Sequence, residues 1–276
     1  MRAILACTLL VAATAAPIDT VRALDKKFAA LYNAGNIDAV AALYGEGAQL
    51  IPPTGDGFLH GAALKDFFAG AFAHGLKDLS LTPLNVFAEG DGSLMHEIGN
   101  VTHSLEPNGG LYYVRWEQNA ATGAWQVALD IMAISNPWPP AANAAAAAVK
   151  ADSNVTKLIR GLDLKFSAMY NHGQFADVAD LYNPAAQLVP MTTPAGLGDQ
   201  FLTGRKAFEG FFADAAKEGI ANLTLAPTLT LQEGAGLIHE IGEVHSAVGG
   251  GKYYVRWIGD GAGGWQIAVD IMSIGG

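Results

Sequence analysis

Two arginine–aspartate combinations carry the most chemistry in this chain. Arg115 lies in Tyr112-Tyr113-Val114-Arg115-Trp116 and Asp130 in Asp130-Ile131-Met132; Arg256 and Asp270 recur in Tyr253-Tyr254-Val255-Arg256-Trp257 and Asp270-Ile271-Met272. Side chains alternate between the two faces of a strand. Strict alternation puts Tyr113, Arg115 and Glu117 on one face, and Gln126, Ala128, Asp130 and Met132 on the mixed face of the partner strand. Arg115 is therefore expected to meet Asp130, and Arg256 to meet Asp270. An Arg–carboxylate pair lining a cleft holds a substrate oxyanion or orients an acid/base group. Away from a cleft it is a structural ion pair or a contact between two copies of one unit. Asp130 and Asp270 are the candidate acid/base residues; Arg115, Arg256, Tyr113 and Tyr254 are candidate ligand contacts.

His96 and His239 join that candidate set, because imidazole exchanges protons near neutral pH. Each also reads as a hydrogen-bonded sheet residue. Glu97 follows His96 on the same strand and points to the opposite face. His103 and His245 look equivalent, but His103 lies seven residues after His96 and His245 six after His239. Their parity agrees only if Thr102 sits in a bulge, so they stay outside the site. No helical His-Glu-x-x-His or His/carboxylate cluster occurs, and no metal is expected. No G-x-S-x-G, phosphate loop or dinucleotide fingerprint occurs either, and no cofactor is expected.

The elements that must position these residues come in one order, twice. Asp19 is placed to cap a helix to Asn33, with Leu24, Phe28, Leu31 and Tyr32 at helical spacing and Gly35 beyond its end. A short helix over 37–44, a strand over 48–51 and a helix over 62–73 follow. Strands are then expected over 79–87, 93–103, 111–118 and 125–134. Helices first and a meander of strands after make an α+β pattern. A curved antiparallel sheet wrapped over about three helices buries one face and leaves a cleft.

The repetition is extensive. Leu24, Asp25, Phe28, Tyr32, Asn33, Gly35, Leu43, Tyr44, Gln49 and Pro52 return as Leu162, Asp163, Phe166, Tyr170, Asn171, Gly173, Leu181, Tyr182, Gln187 and Pro190. His96-Glu97-Ile98-Gly99 returns as His239-Glu240-Ile241-Gly242. A period of roughly 115–140 residues is far above that of solenoids, so the chain reads as a duplicated domain. The expected division is a first copy over 17–136, a Pro/Ala-rich linker over 137–152 and a second copy over 153–276.

Residues 1–16 read as a signal peptide. Met1-Arg2 is a positive start, Ala3 to Ala13 is apolar except for Thr8, and Ala13-Thr14-Ala15 fits a small-x-small cleavage pattern. A buried first helix is the other reading of this segment. The sole cysteine, Cys7, lies inside it, which removes thiol chemistry from the expected mature protein. Export to the periplasm or the exterior follows. The net charge of -10 argues against nucleic acid or an anionic membrane as partner. No apolar run reaches the roughly 18 residues a spanning helix needs. Three Asn-x-Thr sequons, at Asn100, Asn154 and Asn222, accept glycans only in a eukaryotic secretory cell.

Tyr32-Asn33-Ala34-Gly35-Asn36-Ile37-Asp38, then Leu43-Tyr44, Gly61, Tyr113-Val114-Arg115-Trp116 and Trp125-Gln126-Val127-Ala128-Leu129-Asp130 resemble the nuclear transport factor 2-like superfamily, closest to its SnoaL-like and ketosteroid-isomerase-like branch. The second copy matches through Tyr170 to Phe175, Leu181-Tyr182, Gly204, Tyr254 to Trp257 and Trp265 to Asp270. The resemblance implies two tandem cone-shaped α+β domains and, because members pair through their sheets, intrachain pairing of the copies. It argues against ketosteroid isomerase activity. The general-base position falls on Pro52 and Pro190, and the first-helix tyrosine position near Phe28 and Phe166. The SnoaL-like cyclases use a last-strand aspartate, near Asp130 and Asp270. Glu97 with Arg115 and Asp130 would resemble the acid–Arg–acid site of epoxide hydrolases in the superfamily.

Fold does not choose a function here. Three readings stand: a binding protein for a small, mostly apolar molecule; an isomerase, cyclase or hydratase using Asp130 and Asp270; and a non-catalytic assembly module.

Overall fold

A computed structural model describes residues 16–52, 59–89, 91–133, 153–190, 201–233 and 235–274. Residues 1–15 of the expected signal peptide and the whole expected linker, 137–152, lie outside the described residues. The first unit contains α1 (Pro17–Asn33), α2 (Ile37–Ala41), β1 (Tyr44–Ile51), α3 (Ala62–Ala73), β2 (Ser80–Glu89), β3 (Leu94–His103), β4 (Glu106–Gln118) and β5 (Trp125–Ala133). The second contains α4 (Ser153–Asn171), α5 (Phe175–Ala179), β6 (Tyr182–Pro190), β7 (Leu202–Thr203), α6 (Arg205–Lys217), β8 (Thr224–Glu233), β9 (Leu237–Ser246), β10 (Gly249–Gly259) and β11 (Trp265–Ile274).

The architecture is α+β, two tandem cone-shaped units, each a sheet wrapped over three helices. The sheet orders are β1-β5-β4-β3-β2 and β7-β6-β11-β10-β9-β8. The meander strands pair antiparallel, while β1 and β6 run parallel to the last strands β5 and β11. No described helix is long and apolar enough to cross a membrane.

Local sequence explains the helix ends. Ala16, not Asp19, occupies the N-cap of α1, and Pro17 takes the first helical turn, where its missing N–H costs nothing. Asp19 instead lies in the first turn, accepting from Arg22 Nη1 at 3.0 Å. Gly35 stops the helix at φ +70°, a region glycine enters without strain. Asn33 then ties the helix to the sheet. Its Nδ2 donates to the Leu79 carbonyl at 2.9 Å and its Oδ1 accepts from the Leu79 amide at 2.8 Å. Asn171 does the same with Leu223, which explains why this asparagine recurs.

Each unit has its own core. In the first, Phe28, Tyr32, Phe67 and Phe68 from the helices pack against Leu50, Met95, Val114, Trp116 and Val127 on the inner sheet face. Phe166, Tyr170, Phe208 and Phe212 play these parts in the second. A third cluster joins the outer faces of both sheets: Ile51, Ile98, Tyr113, Leu129 and Ile131 with Val189, Ile241, Tyr254, Val269 and Ile271.

One irregularity decides which face each functional residue takes. On β5, Val127 pairs with Trp116 but Leu129 pairs with Arg115, leaving Ala128 as an extra residue. This bulge reverses the alternation. Trp125 and Val127 face inward, Leu129 and Ile131 outward, and Asp130 and Met132 inward again. Ala268 is the extra residue between Ile267 and Val269 on β11. The expected meeting of Arg115 with Asp130, and of Arg256 with Asp270, is therefore corrected: each pair is split across its sheet.

Candidate functional site

The inner face of the first unit gathers three acids. Asp25 sits on the buried stripe of α1 with Val21, Phe28 and Tyr32. Glu97 pairs with Val114 and so faces inward beside Tyr112 and Trp116. Asp130 faces inward from β5. Asp25 is 1% exposed and Glu97 0%, so each carboxyl depends on protein partners.

Tyr112 bridges the first two. Its hydroxyl lies 2.5 Å from Glu97 Oε1 and 3.0 Å from Asp25 Oδ2. One hydroxyl carries one proton and can donate to only one carboxylate. The other contact is satisfied when a carboxyl donates to the tyrosine oxygen, so the acid pair keeps one proton. Trp116 Nε1–H donates to Glu97 Oε2 at 2.7 Å. These two donors favour the Glu97 anion, while burial and the neighbouring Asp25 oppose it. Burial pushes both acids up, and for Glu97 the nearby Asp25 adds to the effect. The second unit repeats the arrangement. Tyr253 lies 2.5 Å from Glu240 and 3.4 Å from Asp163, and Trp257 donates to Glu240 at 2.7 Å. Burial, then Glu240, raises Asp163 to about 9.

Asp130 stands apart from this pair. Tyr44 donates to its Oδ2 at 2.5 Å. Burial raises the carboxyl to about 7, with the Tyr44 bond pulling against the rise. Asp270 is likewise raised to about 7 by burial and accepts from Tyr182. An acid at this position takes or gives a proton near neutrality. Tyr44→Phe removes the bond that favours the anion, so Asp130 is expected to titrate above about 7. Carboxyl NMR titration of the variant reads this directly, and an unchanged or lower midpoint would contradict the assignment.

A cavity of about 40 Å³ lies among these groups, lined by Asp25, Tyr32, Tyr112 and Asp130 and otherwise mainly by apolar side chains such as Phe28, Phe68 and Leu79. One water needs roughly 10–15 Å³ of such space, so it takes a few waters or a slim apolar molecule. Two of these lining residues carry a polar atom, Asp25 Oδ1 and Tyr32 Oη, that is buried without a hydrogen-bond partner among the described residues. The units differ here: the Tyr170 hydroxyl donates to the Ile220 carbonyl at 2.8 Å.

The remaining predicted residues assemble on the outer face, between the sheets. His96 Nε2 lies 2.9 Å from Glu89 Oε2 and its Nδ1 2.7 Å from the Tyr113 hydroxyl. Glu89 accepts only, which assigns the proton to Nε2 and makes Nδ1 the acceptor from tyrosine. Burial lowers His96, leaving it neutral at pH 7. His239 Nδ1 meets Tyr254 in the same way at 2.8 Å. Arg256 Nη2 reaches across from the second unit to Glu89 at 3.1 Å. The His96 bond, then Arg256, holds Glu89 down at about 2 against the opposing effect of burial. Arg115 Nη2 contacts Glu117 at 3.0 Å.

The predicted set thus divides in two. Asp130 and Asp270 lie inside the cones, while Arg115, Arg256, Tyr113, Tyr254, His96 and His239 lie between the sheets. The acid–Arg–acid arrangement does not form, because Arg115 is on the far face from Glu97 and Asp130. Sequence reasoning missed the acid pair. Its signal was an aspartate on the apolar stripe of the first helix, present twice. His103 and His245 do differ: β3 shifts register between Val101 and His103, His103 is buried, and His245 is exposed.

Residues 26–133 match the family model described as the SnoaL-like domain. No curated protein matches the chain. Among solved structures, a domain of unknown function with a cystatin-like fold from Nostoc punctiforme is 18% identical, over 43% of this chain and 76% of its own, with a TM-score of 0.35. An NTF2-like protein with a cystatin-like fold from Novosphingobium aromaticivorans is 12% identical, over 44% and 82%, at 0.34. An NTF-2 like protein of unknown function from Shewanella oneidensis is 16% identical, over 43% and 98%, at 0.36.

Proposed function

We propose, from the premise that this chain belongs to the nuclear transport factor 2-like superfamily and carries a SnoaL-like domain, that it binds a small, mostly apolar molecule inside its first unit. The observation that carries this reading is the apolar cavity with two stranded polar atoms, Tyr32 Oη and Asp25 Oδ1. A buried polar group without a partner costs roughly 1–3 kcal/mol, and a ligand hydroxyl, which donates to Asp25 Oδ1 and accepts from Tyr32, recovers that cost. The second unit, where Tyr170 is already satisfied by backbone, is then the supporting copy.

The test is native mass spectrometry of the gently purified full chain, with Tyr32→Phe beside it. A retained small molecule, depleted about tenfold in the variant, is the expected result. Retention that is equal in both proteins, or no retained mass together with no thermal shift from a panel of small neutral ketones and phenols, counts against it.

A second reading is favoured by Asp130, an acid held near neutrality on the cavity wall. In it the bound molecule is a substrate, and Asp130 and Asp270 are the acid/base groups of an isomerase, cyclase or hydratase. Asp130→Asn with Asp270→Asn then spares binding and abolishes turnover; full turnover in the double variant ends this reading.

The organisation proposed around the site is a cleaved signal peptide over 1–16, domains over 17–136 and 153–276 joined by the linker 137–152, export to the periplasm or exterior, and pairing of the copies within one chain. The apolar cluster shared by the two sheets and the Arg256–Glu89 contact support the pairing. The mass of the mature protein tests cleavage, and its size in solution tests whether one chain suffices.

A further inference from the structure

A larger cavity, of about 640 Å³, opens where the two sheets meet, separate from the acid-lined interior. Arg115, Gln49 and Gln126 line it from the first unit, and His239 and Gln232 from the second. Its volume falls within the roughly 300–1,000 Å³ of small-molecule sites.

Arg115 gives the cavity its chemistry. The residue is 9% exposed. A guanidinium has five N–H donors in a planar fork. Glu117 takes one at Nη2, but the Nε–H is buried and has no acceptor among the described residues. A buried cation with an unused donor is an unfavourable arrangement, and a carboxylate oxygen matches it in charge and in geometry. The amides of Gln49, Gln126 and Gln232 supply both donors and acceptors for the rest of a polar ligand, and Glu117 supplies an anionic group for an ammonium or hydroxyl.

We propose that this cavity is a second binding site, contributed by both units, for a small polar carboxylate of the amino-acid or hydroxy-acid kind, with the Arg115 guanidinium as the anchor. It is independent of the interior cavity and of any reaction there.

The test is isothermal titration calorimetry of the full chain with glutamate, lactate and succinate, each to about 10 mM, and with sulfate as a plain anion. The expected result is a saturable heat from at least one carboxylate and none from sulfate. Arg115→Gln should weaken that binding at least tenfold. Gln232 is exposed at the cavity's edge, so Gln232→Trp should block entry by a similar factor without disturbing the core. The second variant decides the matter if the first fails to fold. The proposal is overturned by no saturable heat from any of the three acids, by sulfate binding as tightly as they do, or by binding in the Trp variant within twofold of the parent.

Discussion

Gly99→Ala lowers the stability of this protein by about 3 kcal/mol or more, and Gly242→Ala does the same in the second unit. Gly99 pairs with Tyr112 across β3 and β4, and the tyrosine lies flat over it on the way to Glu97 and Asp25. A Cβ at Gly99 would overlap the tyrosine ring and hydroxyl. Tyr253 lies over Gly242 in the same manner. The methyl group therefore expels a buried ring and breaks the bridge that shares a proton between two acids. Urea unfolding of each variant reads the loss. Tyr112→Ala, which vacates the space, should make the glycine substitution nearly free in a double-mutant cycle. A Gly99→Ala protein within 0.5 kcal/mol of the parent, an effect of the size expected at an unremarkable surface site, would show that Tyr112 does not lie across the strand.

The second large effect is a loss of stability as pH rises. Asp130 and Asp270 titrate at about 7 in the folded protein, against about 3.9 for an ordinary aspartate. Between those values the folded state holds protons that the unfolded chain releases. Stability from these groups is therefore complete below about pH 4 and is lost as pH climbs through 7. At 1.36 kcal/mol per unit, the limit is on the order of 4 kcal/mol for each aspartate. Asp163, at about 9, extends the loss into alkaline solution. Glu89 acts in the other sense. Its folded value of about 2 adds stability above the ordinary glutamate range, which disappears as pH falls toward 2. The urea midpoint should thus peak in mildly acidic solution, near pH 4–5, and fall by pH 9. Asp130→Asn with Asp270→Asn should flatten the profile between pH 5 and 8, since each amide oxygen still accepts from its tyrosine. A midpoint that holds level or climbs from pH 5 to pH 9 in the parent would refute this account.

Much of the fold was legible because its signals are local or repeated. Recurring strings marked the duplication, Gly35 marked the end of α1, and the third helix, 62–73, has the observed bounds. Period-two alternation found the strands of the meander. Their faces were less legible. A single extra residue, Ala128, reverses every side chain after it, and nothing in Val127-Ala128-Leu129 announces a bulge. That one reversal separated Arg115 from Asp130. The acid pair was hidden for a different reason: Asp25 and Glu97 are 72 positions apart and meet only through tertiary packing of α1 on the sheet. Tyr44 was expected to end a helix and instead begins β1, where its hydroxyl reaches Asp130.

The difference between Tyr32 and Tyr170 has an evolutionary consequence. In a homodimer one gene writes both halves, so any change that opens a pocket in one half opens it in the other. Here each half has its own codons. A substitution that leaves Tyr32 unsatisfied can accumulate while Tyr170 stays capped by Ile220. The strain of keeping a polar group in waiting is then confined to half of the molecule, and the other half is free to hold it in shape.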